Sequence, residues 1–323
     1  MKKIVIFGGG SGLSQLLKGL KLFPIDVTAV VSVSDNGRST GRLRKDYNIP
    51  AVGDISKVLL SMSECDSEIR DLMNYRFTKS KSLGNHSIKN LLLTALLDLK
   101  GDFANSLPVL VKLLDIKGNV LPLTEDNVDL VGVTSYGEKL IGEEQITKSN
   151  KKIEKIEYSN EILVNPKVLD AVKKADLIIF ASGSLMTSII PHLLNEELNN
   201  VIKNSKSKTM YVCNLFTQPG ETDGFSVSEH IKLIEKYLGK SSIDLVLAND
   251  AKMSSSLLKK YETEEQKDQV ILDKAELEKM NVQIIADKIY KIEDNFYRHD
   301  SLKTAYLIFS YLMGDLKWHL LHD

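Results

Sequence analysis

Short β-branched apolar runs alternate along this chain with stretches whose apolar residues recur every three or four positions. Residues 4–7 are apolar without interruption, the pattern of a strand covered on both faces. Leu13, Leu16, Leu17 and Leu20 then share one helical face, with Ser11 or a neighbour as the cap. Residues 27–33 predict a second buried strand, followed by a polar loop over 34–50. Gly53 and Asp54 open a helix with Ile55, Val58, Leu59 and Met62 inward, and 86–99 and 103–114 continue the helical period. From 119 to 158 the character changes. Residues 128–134 and 139–141 flank Ser135, Tyr136 and Gly137, a hairpin signal, and the charged tail 149–157 reads as a solvated face. Strand patterns return at 177–180, 210–213 and 245–247, each trailed by a helical pattern (187–194, 227–238, 254–261). A late strand over 281–285 and a closing helix over 301–321 follow. This alternation predicts one α/β domain, 1–323: a doubly wound, mostly parallel Rossmann-like sheet with a small antiparallel insertion at 119–158.

Composition adds little to that picture. Basic and acidic residues number 42 and 43, which gives no general reason to bind nucleic acid or an anionic membrane. Cys65 and Cys213 form no CxxC, so reduced thiols in a cytoplasmic protein are expected. The first apolar run ends at Phe7, too short for a signal peptide, and no run reaches the length of a membrane span.

In a doubly wound sheet the chemistry lies in loops that follow strands. The first, Gly8, Gly9, Gly10, Ser11 and Gly12, permits close backbone approach to an anion at a helix N-terminus. It matches neither GxGxxG nor the P-loop, which counts against a nicotinamide dehydrogenase. A second glycine-serine turn, Ser182, Gly183 and Ser184, has the same design. Asp35, just after the second strand, stands where a ribose-binding acid, a Mg²⁺ ligand or a turn cap would be. Arg38, Arg42 and Arg44 suit bidentate phosphate contacts or solvent. His86 and Asn90, at the start of an apolar helix, suit either ligand contact or a structural hydrogen bond. His319 and His322 near the end read as helix, not as a metal site. Arg298 suits a phosphate or an aromatic ring, and Asp300 or Ser301 can cap the last helix.

Taken together, GGGSGLSQLLKGLK, VSVSDNGRSTGRLR, HSIKNLLLTALLDLKGDFANSL, GSLMTSIIPHLL, YVCNLFTQPGETDGFSVSEHI and YRHDSLK resemble the YvcK/CofD-like family, in particular its bacterial gluconeogenesis-factor branch. The resemblance implies a Rossmann-like core and a cytoplasmic regulatory protein needed for cell shape on gluconeogenic carbon sources. It implies UDP-N-acetylglucosamine as ligand, with no cofactor required, although NAD, NADP or Mg²⁺ would fit the family. A homodimer and a cell-wall regulatory partner are further expectations. The archaeal-type branch, a 2-phospholactate transferase, supplies the alternative of a Mg²⁺-dependent phospho-group transfer. Carried onto this chain, the resemblance makes Gly8 to Gly12 the first phosphate loop and Asp35 the acid after the second strand. It adds Ser184, Thr187 and Asn214 as cleft residues, Tyr261 and Arg298 as nucleotide-sugar contacts, and Ser301 at a position phosphorylated in relatives. The chain departs from the family pattern at three places. Asn36 replaces a second acid, Arg38 replaces a glycine, and Asn85 and Lys89 replace the glycines of Gly-His-Ser-x-Gly-Asn. All three changes point away from a metal-dependent transferase.

Overall fold

The computed structural model describes residues 1–80, 82–149 and 151–314. In chain order its strands are β1 (Lys2–Gly8), β2 (Ile25–Val31), β3 (Asn119–Pro122), β4 (Leu130–Thr134), β5 (Lys139–Ile141), β6 (Ile153–Tyr158), β7 (Leu177–Phe180), β8 (Lys208–Val212), β9 (Leu245–Asn249), β10 (Gln283–Asp287), β11 (Tyr290–Glu293) and β12 (Phe296–His299). Seven of them form one sheet in the order β10-β9-β8-β7-β1-β2-β3, and every pairing in it is parallel.

Parallel strands need crossover segments, and these cover both faces of the sheet. The side chains of β1 divide accordingly. Ile4 and Ile6 enter a core with Leu13, Ile55, Leu93 and Leu307, from the helices Gly10–Leu20, Gly53–Met62, Ile88–Lys100 and Ser301–Met313. Val5 and Phe7 enter the opposite core with Val168, Leu198 and Ile231, from Pro166–Lys174, Glu196–Lys203 and Val227–Leu238. The chain runs from β1 out to β3 at one edge, returns to β7 beside β1, and runs out to β10 at the other edge. Strand order therefore reverses between β1 and β7.

Several expectations need correction. The segment 119–158 is not one insertion: Asn119–Pro122 joins the parallel sheet beside β2, and the antiparallel sheet β5-β4-β6 begins at Leu130. The tail 149–157 contributes strand β6, with Ile153 and Ile156 buried. The polar stretch 34–50 holds a helix, Arg38–Tyr47, whose inner face is Thr40, Leu43 and Arg44. The buried Arg44 guanidinium donates to Asn127 Oδ1, the Val128 carbonyl and the Asp129 carboxylate, tying that helix to the approach to β4. Over 187–194 a π-helical turn, Leu185–Ile189, passes into a 3₁₀ turn, Ile190–Leu193; Pro191, lacking an N–H, prevents a regular ladder there. A hairpin, β11–β12, precedes the last helix, which ends at Met313. His319 and His322 lie outside the described residues.

Candidate functional site

The loops after β1 and β7 meet where strand order reverses, the position at which doubly wound sheets bind ligands. They approach so closely that a Cβ on Gly12 would lie 1.9 Å from the Ser182 carbonyl oxygen. The β1 loop is braced from behind by fully buried His192, whose Nε2 lies 3.1 Å from the Gly8 carbonyl. A carbonyl can only accept, so Nε2 carries the proton. Burial pushes this imidazole down to about 4, so it is neutral. The β7 loop is held by Asn214, which accepts from Gly183 N–H at 2.8 Å and donates to the Gly183 carbonyl at 2.7 Å. Ser184 donates to Glu221 at 2.6 Å and accepts from Thr187 N–H at 3.0 Å.

In front of these loops lies a cavity of about 670 Å³. Ser11, Gly12, Gly183 and Ser184 form part of its wall. Lys18, Lys57, Arg70, Lys89, Lys267 and Arg298 line it, against the two carboxylates Glu265 and Glu293, so its field favours an anion. Part of its wall is aromatic. Phe216 and Tyr261 stack with ring centroids 4.1 Å apart and planes 8° from parallel, and Phe296 and Tyr297 complete the wall. The Tyr261 hydroxyl accepts from Tyr297 N–H at 2.9 Å. Burial raises the pKa of that hydroxyl.

A second lobe of about 710 Å³ shares Lys57 and Lys89 with the first. It holds Asp35, Asp54, Arg42, Arg76 and Asn90. Asp54 lies against the first loop: a Cβ on Gly9 would stand 2.8 Å from its Oδ2, and Gly10 N–H hydrogen-bonds to it. The protein's own carboxylate thus takes one of the donors at that helix N-terminus. Burial, with the Asp35 charge adding to it, pushes Asp54 up to about 6. Glu143, from the insertion helix Glu143–Lys148, accepts from the Thr187 hydroxyl at 3.4 Å. Burial raises it to about 9, with Asp35, Asp54 and Glu221 contributing. Among the described residues no three His, Cys, Asp or Glu side chains form a metal-binding group.

The sequence candidates fall into five groups. Ser11, Gly12, Gly183, Ser184, Asn214, Tyr261 and Arg298 line the first lobe, and Asp35 and Asn90 line the second. Gly8, Gly9, Gly10, Thr187 and His86 stand behind the lining residues. His86 is buried, 2.8 Å from Ser39 Oγ, and burial with nearby Arg42 lowers its pKa. Asn90 accepts from the Ser56 hydroxyl at 2.7 Å. The Arg38 side chain lies outside the described residues. Ser301 opens the last helix after its Asp300 cap and packs on Gly19, away from both lobes.

Asp54, Glu143, Glu221, Lys57 and Lys89 were not singled out as a constellation from the sequence. Glu221 sits inside the long CNLFTQPGETDG stretch and Asp54 in a Gly-Asp pair at a helix start. Nothing local marks Glu143.

A parallel, doubly wound sheet with an anion-favouring cleft at its switch point defines a Rossmann-like α/β protein. Residues 4–290 match the family described as 2-phospho-L-lactate transferase CofD. Similar proteins include the gluconeogenesis factor of Bacillus subtilis, 38% identical, with 95% of this chain and 96% of that protein covered. The gluconeogenesis factor of Listeria innocua is 40% identical over 94% of this chain and 93% of its own length. A crystal structure of a Bacillus halodurans protein superposes with a TM-score of 0.92 at 37% identity, covering 95% of this chain and 99% of that one. The chain belongs to the CofD/YvcK family.

Proposed function

We propose that this chain is a gluconeogenesis factor that acts by binding a nucleotide sugar, UDP-N-acetylglucosamine, in the first lobe. In that role it adjusts cell-wall precursor supply, and with it cell shape, during growth on gluconeogenic carbon sources. One observation carries the reading: a single cavity is lined by glycine-serine turns, basic side chains and an aromatic wall. A diphosphate flanked by a base and a sugar needs that pairing of charge and π-surface. Arg298 joins the two features, a cation on the aromatic wall, since its guanidinium lies 5.4 Å from the Phe296 ring centroid. The names of the relatives in Bacillus subtilis and Listeria innocua support the role as a gluconeogenesis factor. Isothermal titration of UDP-N-acetylglucosamine is the test. Saturable binding without turnover is expected, with Arg298→Ala weakening it at least tenfold. Absence of binding at millimolar ligand, or steady product formation, would overturn it.

A second reading, Mg²⁺-dependent transfer of a phospho-group, is favoured by one finding. Asp54 supplies beside Asp35 the second carboxylate that Asn36 does not. Magnesium takes one or two carboxylates and completes its shell with water and substrate phosphates. Asp35 and Asp54 fit that demand, and their mutual repulsion is what a cation would relieve. Bound there, Mg²⁺ would neutralise phosphate charge, while Lys57 and the loop residues Ser11 and Gly12 would orient the phosphates. Ligand binding that is lost on chelation would favour this reading over the first.

A further inference from the structure

We propose that Lys57 and Lys89, on the wall shared by the two lobes, form with Arg76 a separate anion site. It takes the phosphoryl group of a small phosphorylated metabolite. That this site is second to a nucleotide-sugar site rests on the function proposed above; the site itself does not.

Three chain segments bring the cations together. Lys57 comes from the helix Gly53–Met62, Lys89 from the first turn of Ile88–Lys100, and Arg76 from the segment between Ser67–Asn74 and that helix. Lys57 and Lys89 line both lobes, and Arg76 lines the second. Lys89 Nζ lies 2.6 Å from Asn74 Oδ1, and Arg76 donates to the Asn85 carbonyl at 3.0 Å. Both of these acceptors are neutral. Among the described residues neither Lys89 nor Arg76 is in an ion pair. Lys57 has Asp54 at 3.7 Å. The positive charge at this wall is therefore only partly compensated.

Burial, and then the charges of Lys57 and Arg76, push the Lys89 ammonium down to about 8. An anion placed between the three would relieve that repulsion and return the proton. Two ammonium groups and a guanidinium offer more donors than a carboxylate can accept from, and they suit a tetrahedral dianion. Asp35 and Asp54 line the same lobe and repel an anion, so the phosphoryl group belongs on the Lys89 and Arg76 side, with Lys57 between it and Asp54.

The probe is inorganic phosphate, titrated calorimetrically at pH 8 with and without saturating UDP-N-acetylglucosamine, in two buffers of different ionisation enthalpy. One phosphate should bind in both conditions. Lys89→Gln and Arg76→Gln should each weaken it at least tenfold. Lys89→Arg should retain binding. The wild type should take up a fraction of a proton per phosphate, since an ammonium whose pKa is lowered toward that pH becomes fully charged. Lys89→Arg, charged throughout, should take up none from this position. Thermal melts confirm that each variant is folded. No phosphate binding by the wild type, full competition with the nucleotide sugar, or unchanged affinity in folded Lys89→Gln would each overturn the proposal. If phosphate binds in a Lys89-dependent way and the nucleotide sugar does not bind, the function proposed above fails and this site stands.

Discussion

Replacing Gly12 by alanine tests whether the two glycine loops act as one unit. The new Cβ would stand 1.9 Å from the Ser182 carbonyl oxygen, 2.7 Å from its carbon and 3.3 Å from Gly183 Cα. Ordinary contact begins near 3.4 Å, so backbone must move by about 1.5 Å against packing that resists such shifts. Neither side yields easily. Ala181 N–H is bonded to the Phe7 carbonyl at 2.9 Å, at the end of the β1–β7 pairing. Leu13, Leu16 and Leu17 anchor the helix that would have to tilt. Overpacking of this kind costs about 1–3 kcal/mol, and a backbone clash belongs at the upper end. An unfolding entropy of about 2.1 cal/mol/K per residue over 323 residues converts about 3 kcal/mol into a Tm loss of roughly 4 °C. Ligand binding should suffer more than stability, because the shift separates the two turns that line the cavity. Gly101→Ala is the control. Gly101 has φ +91° with open space around it, so alanine there costs about 1 kcal/mol from backbone strain alone and leaves binding unchanged. Differential scanning fluorimetry with a UDP-N-acetylglucosamine titration reads both effects. If Gly12→Ala melts within a degree of the wild type and binds equally well, the coupled-loop argument is wrong.

Three further outcomes follow from the geometry. Arg44→Met keeps much of the side-chain volume but removes the guanidinium's bonds to residues 127–129, leaving the bond from Asn127 to the helix cap Asn48; it should cost about 2–3 kcal/mol in urea denaturation and speed proteolytic cutting of the insertion. Asp54→Asn should depend on pH. The folded-state pKa, raised from 3.8 to about 6, makes this group's stabilising contribution complete below pH 3.8 and lost as pH rises through 6. The variant should therefore be more stable than wild type at pH 7.5, by roughly 3 kcal/mol at most, and lose that advantage at pH 4; a Tm difference independent of pH would contradict this. Tyr261→Phe leaves the ring stack but strands the Tyr297 N–H, and a loss of about 1–3 kcal/mol is expected by chemical denaturation.

The sheet was legible because its strands are buried on both faces and so read as short β-branched runs. Leu177–Phe180, with every residue buried, is the clearest case. The helix Arg38–Tyr47 was not legible: its inner face includes Arg44, a buried cation that looks like solvent-facing charge until residues 127–129 are brought to it. The hairpin β11–β12 is marked in the sequence by its turn. Asp294 and Asn295, at φ 51° and 62°, form a two-residue turn with both residues left-handed, and aspartate and asparagine are among the residues that tolerate that conformation. In the site, the glycine-serine loops were legible because glycine marks backbone approach. The carboxyl cluster was not, since Asp35, Asp54, Glu143 and Glu221 lie on four separate segments and only the fold brings them together.

That cluster gives a physical account of the asparagine that follows Asp35. Asn36 Oδ1 accepts Glu144 N–H at 2.9 Å, at the start of the insertion helix. The Asn36 amide also lies so close to Gly142 that a Cβ there would stand 1.8 Å from its nitrogen. The loop after β2 is thus joined to the insertion by Asn36, and the loop after β7 is joined to it by the Thr187 hydroxyl on Glu143. An aspartate at 36 could still accept the Glu144 N–H. It would, however, place another negative charge beside Asp35, in a group where Glu143 is already raised to about 9. The amide supplies the acceptor without the charge. At neutral pH Glu143 then keeps its proton and Asp54 has largely lost its own, so a cation or phosphate entering the second lobe meets Asp35 and Asp54 as its acidic wall. Anything that draws the proton from Glu143 adds a third charge facing Asp35 and Asp54; that repulsion, which outweighs the stronger acceptor offered to the Thr187 hydroxyl, pushes the insertion away from the cleft. The insertion and the cleft are therefore coupled through one carboxyl group, and Glu143→Gln, which keeps the acceptor oxygen and cannot ionise, should make the insertion's hydrogen-exchange protection independent of pH between 7 and 10, whereas the wild type should lose protection across that range.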